Sequence, residues 1–296
     1  MLKLFQKPNF LLITAAIIWG FAFVAQRKGM ESIGPFTFNA IRFFLGGLVL
    51  LPLISRFNKP EYKRFSKKKI YQAALLLGLF LFLGSSFQQV GIVFTTAGKA
   101  GFITGMYVVI VPILGFFIFK MKSNWANFIG ALIAIAGLYL LSINDDFLIE
   151  FGDFLVLLCA LFFAIHVLLI GLFAPKINPI FLASMQCFIC SFFSLIIALS
   201  FENIELNQII LVIGPLLYAG ILSSGCAYAL QLLAQDRAHP SHAAIILSSE
   251  AIFAVIGGCF FLSEPFGIKM AIGCILMLCG MLVSQLKGKT VNPHDI

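Results

Sequence analysis

Ten apolar stretches, each long enough to cross a bilayer as a helix, fill this chain almost end to end. A spanning helix needs about 20 predominantly apolar residues for a hydrocarbon core of about 30 Å. The stretches cover residues 9–27, 36–55, 70–94, 98–119, 125–143, 152–173, 179–200, 209–234, 241–262 and 267–286. Hydrophobic residues make up 61% of the 296 and charged residues only 11%, too little polar surface for a globule in water. The fold class expected is all-α integral membrane, with ten transmembrane helices and short tails at 1–8 and 287–296. The basic start, MLKLFQK, resembles a secretory signal, but the apolar run continues past Trp19 to Ala25 without a cleavage site, so we read an uncleaved first span.

The net charge of +8 is distributed by side. Ten spans put both termini on one face, and placing that face inside gives 15 internal Lys and Arg against four external ones, Arg27, Lys28, Lys99 and Lys269, with Arg42 inside a span. The excess of internal positive charge orients both termini toward the cytoplasm, in the cytoplasmic (inner) membrane of a bacterium. The loop RFNKPEYKRFSKKK serves that topology, and the basic charge is no sign of nucleic-acid binding. The external connection from Asn144 to Asp153 carries four acids and no base. All seven cysteines fall inside spans, so no disulfide framework is implied, and Cys187-x-x-Cys190 reads as packing.

The second half of the chain repeats the first. An offset of 144 residues aligns Trp19 with Phe163, Pro35 with Pro179 and Arg42 with Gln186; an offset of 143 aligns Gln88 with Gln231, Tyr107 with Glu250, Gly130 with Gly273 and Gly137 with Gly280. The repeats run over 9–143 and 152–286. Each holds five spans, an odd number, so they enter the membrane from opposite sides. Inverted repeats suit alternating access, in which two similar halves exchange inward-open and outward-open packings around a midplane site.

Several stretches resemble the drug/metabolite transporter superfamily, specifically its ten-helix EamA type. They are AAIIWGFAFVAQR in the first span, QQVGIVFTTAGKAGFITGMYVVIVPILG over the third and fourth, and the run from Ser241 to Leu286 with Glu250 and Glu264-Pro265. The resemblance covers Phe10 to Leu286. It implies a transporter for metabolites, amino acids or exported compounds, without saying which. Two departures stand out. Glu250 is followed by Ala251 where many members have proline, so the expected break in the ninth helix lacks its usual cause. The first-half counterpart of the Glu264 loop, KMKSNWANF, lacks the acid often seen there.

Arg42 and Glu250 are the charged residues placed well inside spans, where a central charge costs about 2.5–3.5 kcal/mol and must face protein or a watery cavity. Glu250, near mid-depth, is a candidate contact for a substrate amine or a proton-coupling carboxylate, or else a paired packing group. Arg42, about a turn and a half from the outer end of its span, either snorkels to the surface or serves as a cavity cation that attracts a carboxylate or neutralises Glu250. Gln88, Gln231 and Gln186 either hydrogen-bond substrate or bridge helices. Adjacent Gln88 and Gln89 cannot both face one cavity. Trp19 and Tyr107 offer aromatic walls or ordinary packing. His166 is a proton relay or a hydrogen-bonded packing group. In His239-Pro240-Ser241-His242 the proline marks a helix start rather than a metal site.

Glycines supply the expected mechanics. Gly98, Gly101, Gly105, Gly257 and Gly258 let helices approach and slide, and Gly130, Gly137, Gly273 and Gly280 put close packing between the fifth and tenth helices, as scaffold or dimer contact. Pro112 removes a backbone hydrogen bond from the fourth span and is expected to kink it. No HExxH site, Walker loop or paired carboxylate within one span is present, so an intramembrane enzyme is not expected, and no cofactor or metal is implied. The expected function is secondary active transport of a small polar or amphipathic metabolite, amino-acid-like or drug-like, possible proton or exchange coupling included. A passive channel or a non-transporting membrane scaffold is the alternative. The partners expected are a small-molecule substrate and the lipid bilayer, with the chain as monomer or homodimer.

Overall fold

The computed structural model describes residues 7–57, 62, 65–118, 120, 125–142, 150–264 and 267–285. Among these, ten helical segments follow one another: α1 (Pro8–Gly29), α2 (Pro35–Leu53), α3 (Lys67–Val93), α4 (Ala97–Phe117), α5 (Trp125–Ser142), α6 (Phe151–Phe173), α7 (Pro179–Phe201), α8 (Ile213–Gln235), α9 (Pro240–Leu262) and α10 (Ile268–Gln285). Eight are long and apolar enough to span a membrane, while α5 and α10 carry the shorter apolar stretches Phe128–Gly137 and Ala271–Gly280. A short helix, Leu206–Leu211, precedes α8 where the sequence suggests a single span from 209. Most of both tails, most of the basic loop after Phe57, the acidic connection before Glu150, and Pro265 lie outside the described residues.

The helix starts are written locally. Proline occupies the first turn of α1, α2, α7 and α9, where its missing N–H costs nothing. Ser66, Thr96, Asn178 and His239 accept a backbone N–H of the turn they precede. Large apolar side chains such as Phe117, Phe201 and Phe260 point outward. Hydrocarbon is the solvent that tolerates such a surface.

Packing follows the repeat. α2 packs on α7, α4 on α9 and α5 on α10, each helix against its own counterpart. The remaining contacts come in related pairs: α1 with α8 as α6 with α3, and α2 with α8 as α7 with α3. The four glycines of the α5–α10 seam face each other within the chain. A Cβ on Gly280 would stand 2.6 Å from the Gly130 carbonyl oxygen, and one on Gly137 would stand 2.7 Å from that of Gly273. Gly101 brings α4 against Ala254 of α9, and Gly257 brings α9 against Val24 of α1.

Three helices depart from regular geometry. α4 is interrupted at Met106, between Gly105 and Tyr107, and α9 at Ser248 and Ser249, just before Glu250. The two breaks coincide at the 143-residue offset. The α9 break therefore exists without the proline after Glu250. Ser248 Oγ and Ser249 Oγ donate to the Ile245 and Ile246 carbonyls at 2.8 and 2.7 Å, and Ala251 and Ile252 bond three residues back instead of four. Hydroxyls that back-bond in this way compete with the helix ladder. In α4 the interruption comes before Pro112, which sits inside the continuous segment Tyr107–Phe117.

The third departure is a ten-residue π-helix, Tyr218–Ala227, in the middle of α8. Such widened turns leave carbonyls poorly matched within the helix. Here distant side chains take them: Trp19 Nε1 donates to Ser223 O at 3.1 Å, and Cys187 Sγ to Ser224 O at 3.3 Å. Gly46 lets α2 close on this segment, since a Cβ there would lie 2.7 Å from Ser224 Cβ.

Candidate functional site

A cavity of about 480 Å³ lies where α1, α2, α3, α4, α6, α8 and α9 converge. Trp19, Arg42, Gln88, Tyr107, His166, Gln231 and Glu250 all line it, and every one of them is buried. The repeat explains this convergence. Tyr107 and Glu250 open the second half of their broken helices, and Gln88 and Gln231 occupy related places on α3 and α8.

Arg42 does not snorkel. It is 3% exposed, its guanidinium carbon is 4.6 Å from the Phe43 ring centre and 5.8 Å from that of Phe38, and its Nε donates to Asn39 Oδ1 at 2.9 Å. Asn39 Nδ2 in turn donates to Ser85 O at 3.2 Å, which fixes the amide that orients Arg42. No carboxylate among the described residues pairs with the guanidinium. Its two Nη groups are left for the cavity. Rings stacked on a guanidinium stabilise it partially, by about 0.5–2 kcal/mol.

Glu250 is 4% exposed and its Oε1 has no hydrogen-bond partner among the described residues. Tyr107 lies beside it, with its own hydroxyl also unpartnered. Arg42 and Glu250 are thus two buried charges in one cavity that do not neutralise each other directly. Leaving a buried polar atom unmade costs about 1–3 kcal/mol, more for a charge, so this arrangement is one that a ligand or water would complete.

The remaining predicted residues divide. Gln88 Nε2 donates to Thr104 Oγ1 at 3.1 Å, while Gln231 Oε1 is unpartnered. Gln89 is fully buried and lies outside the cavity lining, as the adjacency with Gln88 requires. Gln186 stands behind the wall: its Oε1 is 2.9 Å from His166 Nε2, so it orients the imidazole rather than reaching the cavity. Trp19 meets the Tyr228 ring at 4.8 Å, and His166 meets the same ring edge-on at 6.0 Å. Gly105 ends the first segment of α4, and Gly98 and Gly258 lie against Glu264 at the outer end. Gly273 belongs to the α5–α10 seam.

Sequence reasoning missed Tyr228, Gln26, Phe23 and Asn39. Trp19, Phe23 and Gln26 are spaced i, i+4, i+7 on α1, one helix face, so the first of them points to the other two. Asn39 precedes Arg42 by one turn, the spacing at which side chains meet. Tyr228 gave no such signal, because it reaches the cavity only through the widened turn of α8.

The sequence matches the EamA-like transporter family twice, over residues 6–143 and 150–285. An uncharacterized transporter of Archaeoglobus fulgidus is 32% identical over 93% of this chain and 85% of its own length. One from Methanothermobacter thermautotrophicus is 27% identical, over 94% of this chain and 86% of its own. The uncharacterized transporter YoaV of Bacillus subtilis is 23% identical over 92% and 94%. A solved crystal structure superposes with a TM-score of 0.76 over 94% of this chain and 98% of that one, at 17% identity, a likeness of fold. The chain is a multi-pass membrane transporter of the drug/metabolite type and belongs to the EamA-like transporter family.

Proposed function

We propose that the protein is a secondary active transporter that carries a small zwitterionic, amino-acid-like metabolite across the cytoplasmic membrane by alternating access. The repeats over 9–143 and 152–286 act as the two moving halves, with both termini cytoplasmic. The observation that carries this reading is the enclosed cavity with Arg42 and Glu250 in it, each without a charged partner. A substrate carboxylate matches the two free Nη groups of Arg42 in the bidentate manner of guanidinium pairs. A substrate ammonium matches Glu250 Oε1 together with the free acceptors Gln231 Oε1 and Gln26 Oε1. Trp19, Phe163 and Tyr228 supply the apolar wall between them. The broken helices place the ligand at half-helix N-termini near the midplane, where discontinuous helices in other transporters hold theirs.

The test has two parts. A thermal-shift screen of the purified protein against small metabolites is expected to pick out amphoteric compounds over simple anions or cations. Proteoliposomes loaded with the stabilising compound are expected to show saturable counterflow, which separates a carrier from a channel. Failure of every amphoteric compound to stabilise the protein would sink the zwitterion assignment.

A further inference from the structure

The inverted register relates the outer ends of α4 and α6 to the inner ends of α9 and α1. At the 143-residue offset Lys99 corresponds to His242 and Thr96 to His239; at the 144-residue offset Asp153 corresponds to Asn9. The contacts obey the same relation. Lys99 Nζ lies 3.3 Å from Asp153 Oδ2, and His242 Nε2 lies 2.8 Å from Asn9 Oδ1. One pair of positions therefore ties the two halves together at both ends of the molecule. It is ionic at the outer end and neutral at the inner end.

Their surroundings enlarge that difference. The Lys99 and Asp153 side chains are only 15% and 14% exposed. Asp153 Oδ1 also accepts from Thr95 Oγ1 at 2.8 Å, and Lys99 lies 3.6 Å from Glu150. Glu264 reaches from the end of α9 to the first turn of α4 and accepts the Ala97 and Gly98 amides at 3.0 and 3.1 Å. Glu202, at the end of α7, does the same at the start of α2, where its carboxylate takes the Phe36 and Thr37 amides at 2.9 and 2.7 Å.

At the inner end the corresponding caps are local. Asn178 accepts the Ile180 and Phe181 amides of its own helix, and His239 Nδ1 accepts Ser241 N at 3.3 Å. Burial holds the His239 imidazole below its usual range, which keeps it neutral and able to accept. Lys120 and Ser263 are register partners and both take left-handed backbone, with φ of 51° and 55°. The backbone keeps the symmetry, but position 121 is Met where the second half has Glu264. Asn9 is exposed, and an apolar crevice lined by Pro8, Leu11, Leu53, Cys226 and Leu230 already parts α1 from α8 at this end.

We infer that these symmetry-related contacts are the two gates of the carrier, and that the outer gate is the stronger, so that the empty protein opens toward the cytoplasm. The inference rests on the alternating-access reading above. Opening the outer end separates several charge-assisted contacts at once, each roughly twice as strong as a neutral hydrogen bond. Opening the inner end separates an exposed neutral one.

Hydrogen exchange followed by mass spectrometry, on the full chain in lipid nanodiscs, tests this directly. In the wild type the first turns of α1 and α9 are expected to exchange faster than those of α4 and α6. Asp153→Asn raises exchange at the outer turns by on the order of fivefold, the scale of a lost ion pair. It also lowers exchange along the crevice wall from Cys226 to Arg237, because opening one end closes the other. Asn9→Asp, which sets a carboxylate opposite His242, shifts both ends the opposite way, and it tests the assignment even if Asp153→Asn fails to fold. The charge-swapped double variant Lys99→Asp/Asp153→Lys restores the wild-type pattern. A rise confined to the outer turns is local fraying and overturns the assignment, as does equal exchange at both ends in all four proteins. Counterflow in wild-type proteoliposomes separates the two failures. With counterflow present and exchange unresponsive, only the gate assignment falls; without counterflow, both fall.

Discussion

Tyr107 and Glu250 hold the same position in the two halves. Each is the first residue after the interruption of its fourth helix, and each brings to the cavity an oxygen that no other described group satisfies. The symmetric backbone thus presents a phenol on one side and a carboxylate on the other.

The pair predicts unequal consequences. Glu250→Gln removes a charge that a substrate ammonium would meet, and hydrogen bonds to charged groups are worth about 1.5–3 kcal/mol. Counterflow kcat/KM is expected to fall by roughly tenfold to a hundredfold on that basis, with a changed pH profile. Tyr107→Phe is expected to lower it by less than about tenfold, the scale of a neutral hydrogen bond. Retained transport with an unchanged pH profile in Glu250→Gln would remove Glu250 from both substrate binding and coupling.

Arg42 predicts opposite effects on stability and binding. A buried cation without a carboxylate partner is a cost to the empty fold, and replacing buried charges by apolar groups of similar size often stabilises by on the order of 1–4 kcal/mol. Arg42→Met is expected to raise the thermal midpoint of the ligand-free protein and to abolish the further rise given by an amphoteric ligand. Arg42→Lys keeps the charge but loses the planar fork, so the ligand-induced rise shrinks without vanishing. A drop in ligand-free stability in Arg42→Met would show the guanidinium to be a structural tie.

The ten helices and their pairing were legible in the sequence because hydropathy and register are set by residues along one helix. Glu250, Arg42 and Tyr107 were legible for the same reason, as polar groups at depth. The break in α9 was not, since proline was the cue sought and the serine hydroxyls of Ser248 and Ser249 do its work through bonds to their own preceding turn. The widened turn of α8 was hidden for a different reason. It depends on Trp19 of α1 and Cys187 of α7, which reach its carbonyls only in the assembled bundle. Tyr228 enters the cavity by that route, so its role could not be read from its apolar neighbours.

Trp19 consequently has two separable duties. Its Nε1 holds the Ser223 carbonyl, and its ring packs on Tyr228. Trp19→Phe keeps an aromatic face but leaves that carbonyl unmatched, at a cost of about 1–3 kcal/mol. The expected result is a lower thermal midpoint with substrate affinity reduced only modestly. Trp19→Leu is expected to lose both. Equal stability of Trp19→Phe and wild type in thermal unfolding would show that the indole N–H does not hold the widened turn.

The glycine seam between α5 and α10 distinguishes scaffold from dimer contact. Gly137 and Gly280 each face a carbonyl oxygen of the other helix at a distance no Cβ can occupy, so the close packing is used up within one chain. Gly280→Ala must push the helices apart, and overpacking of this kind costs about 1–3 kcal/mol. Thermal unfolding is expected to record that loss, while light scattering of the purified protein shows an unchanged oligomeric state. A variant that kept its thermal midpoint and shifted its mass in solution would instead place these glycines between two copies of the chain.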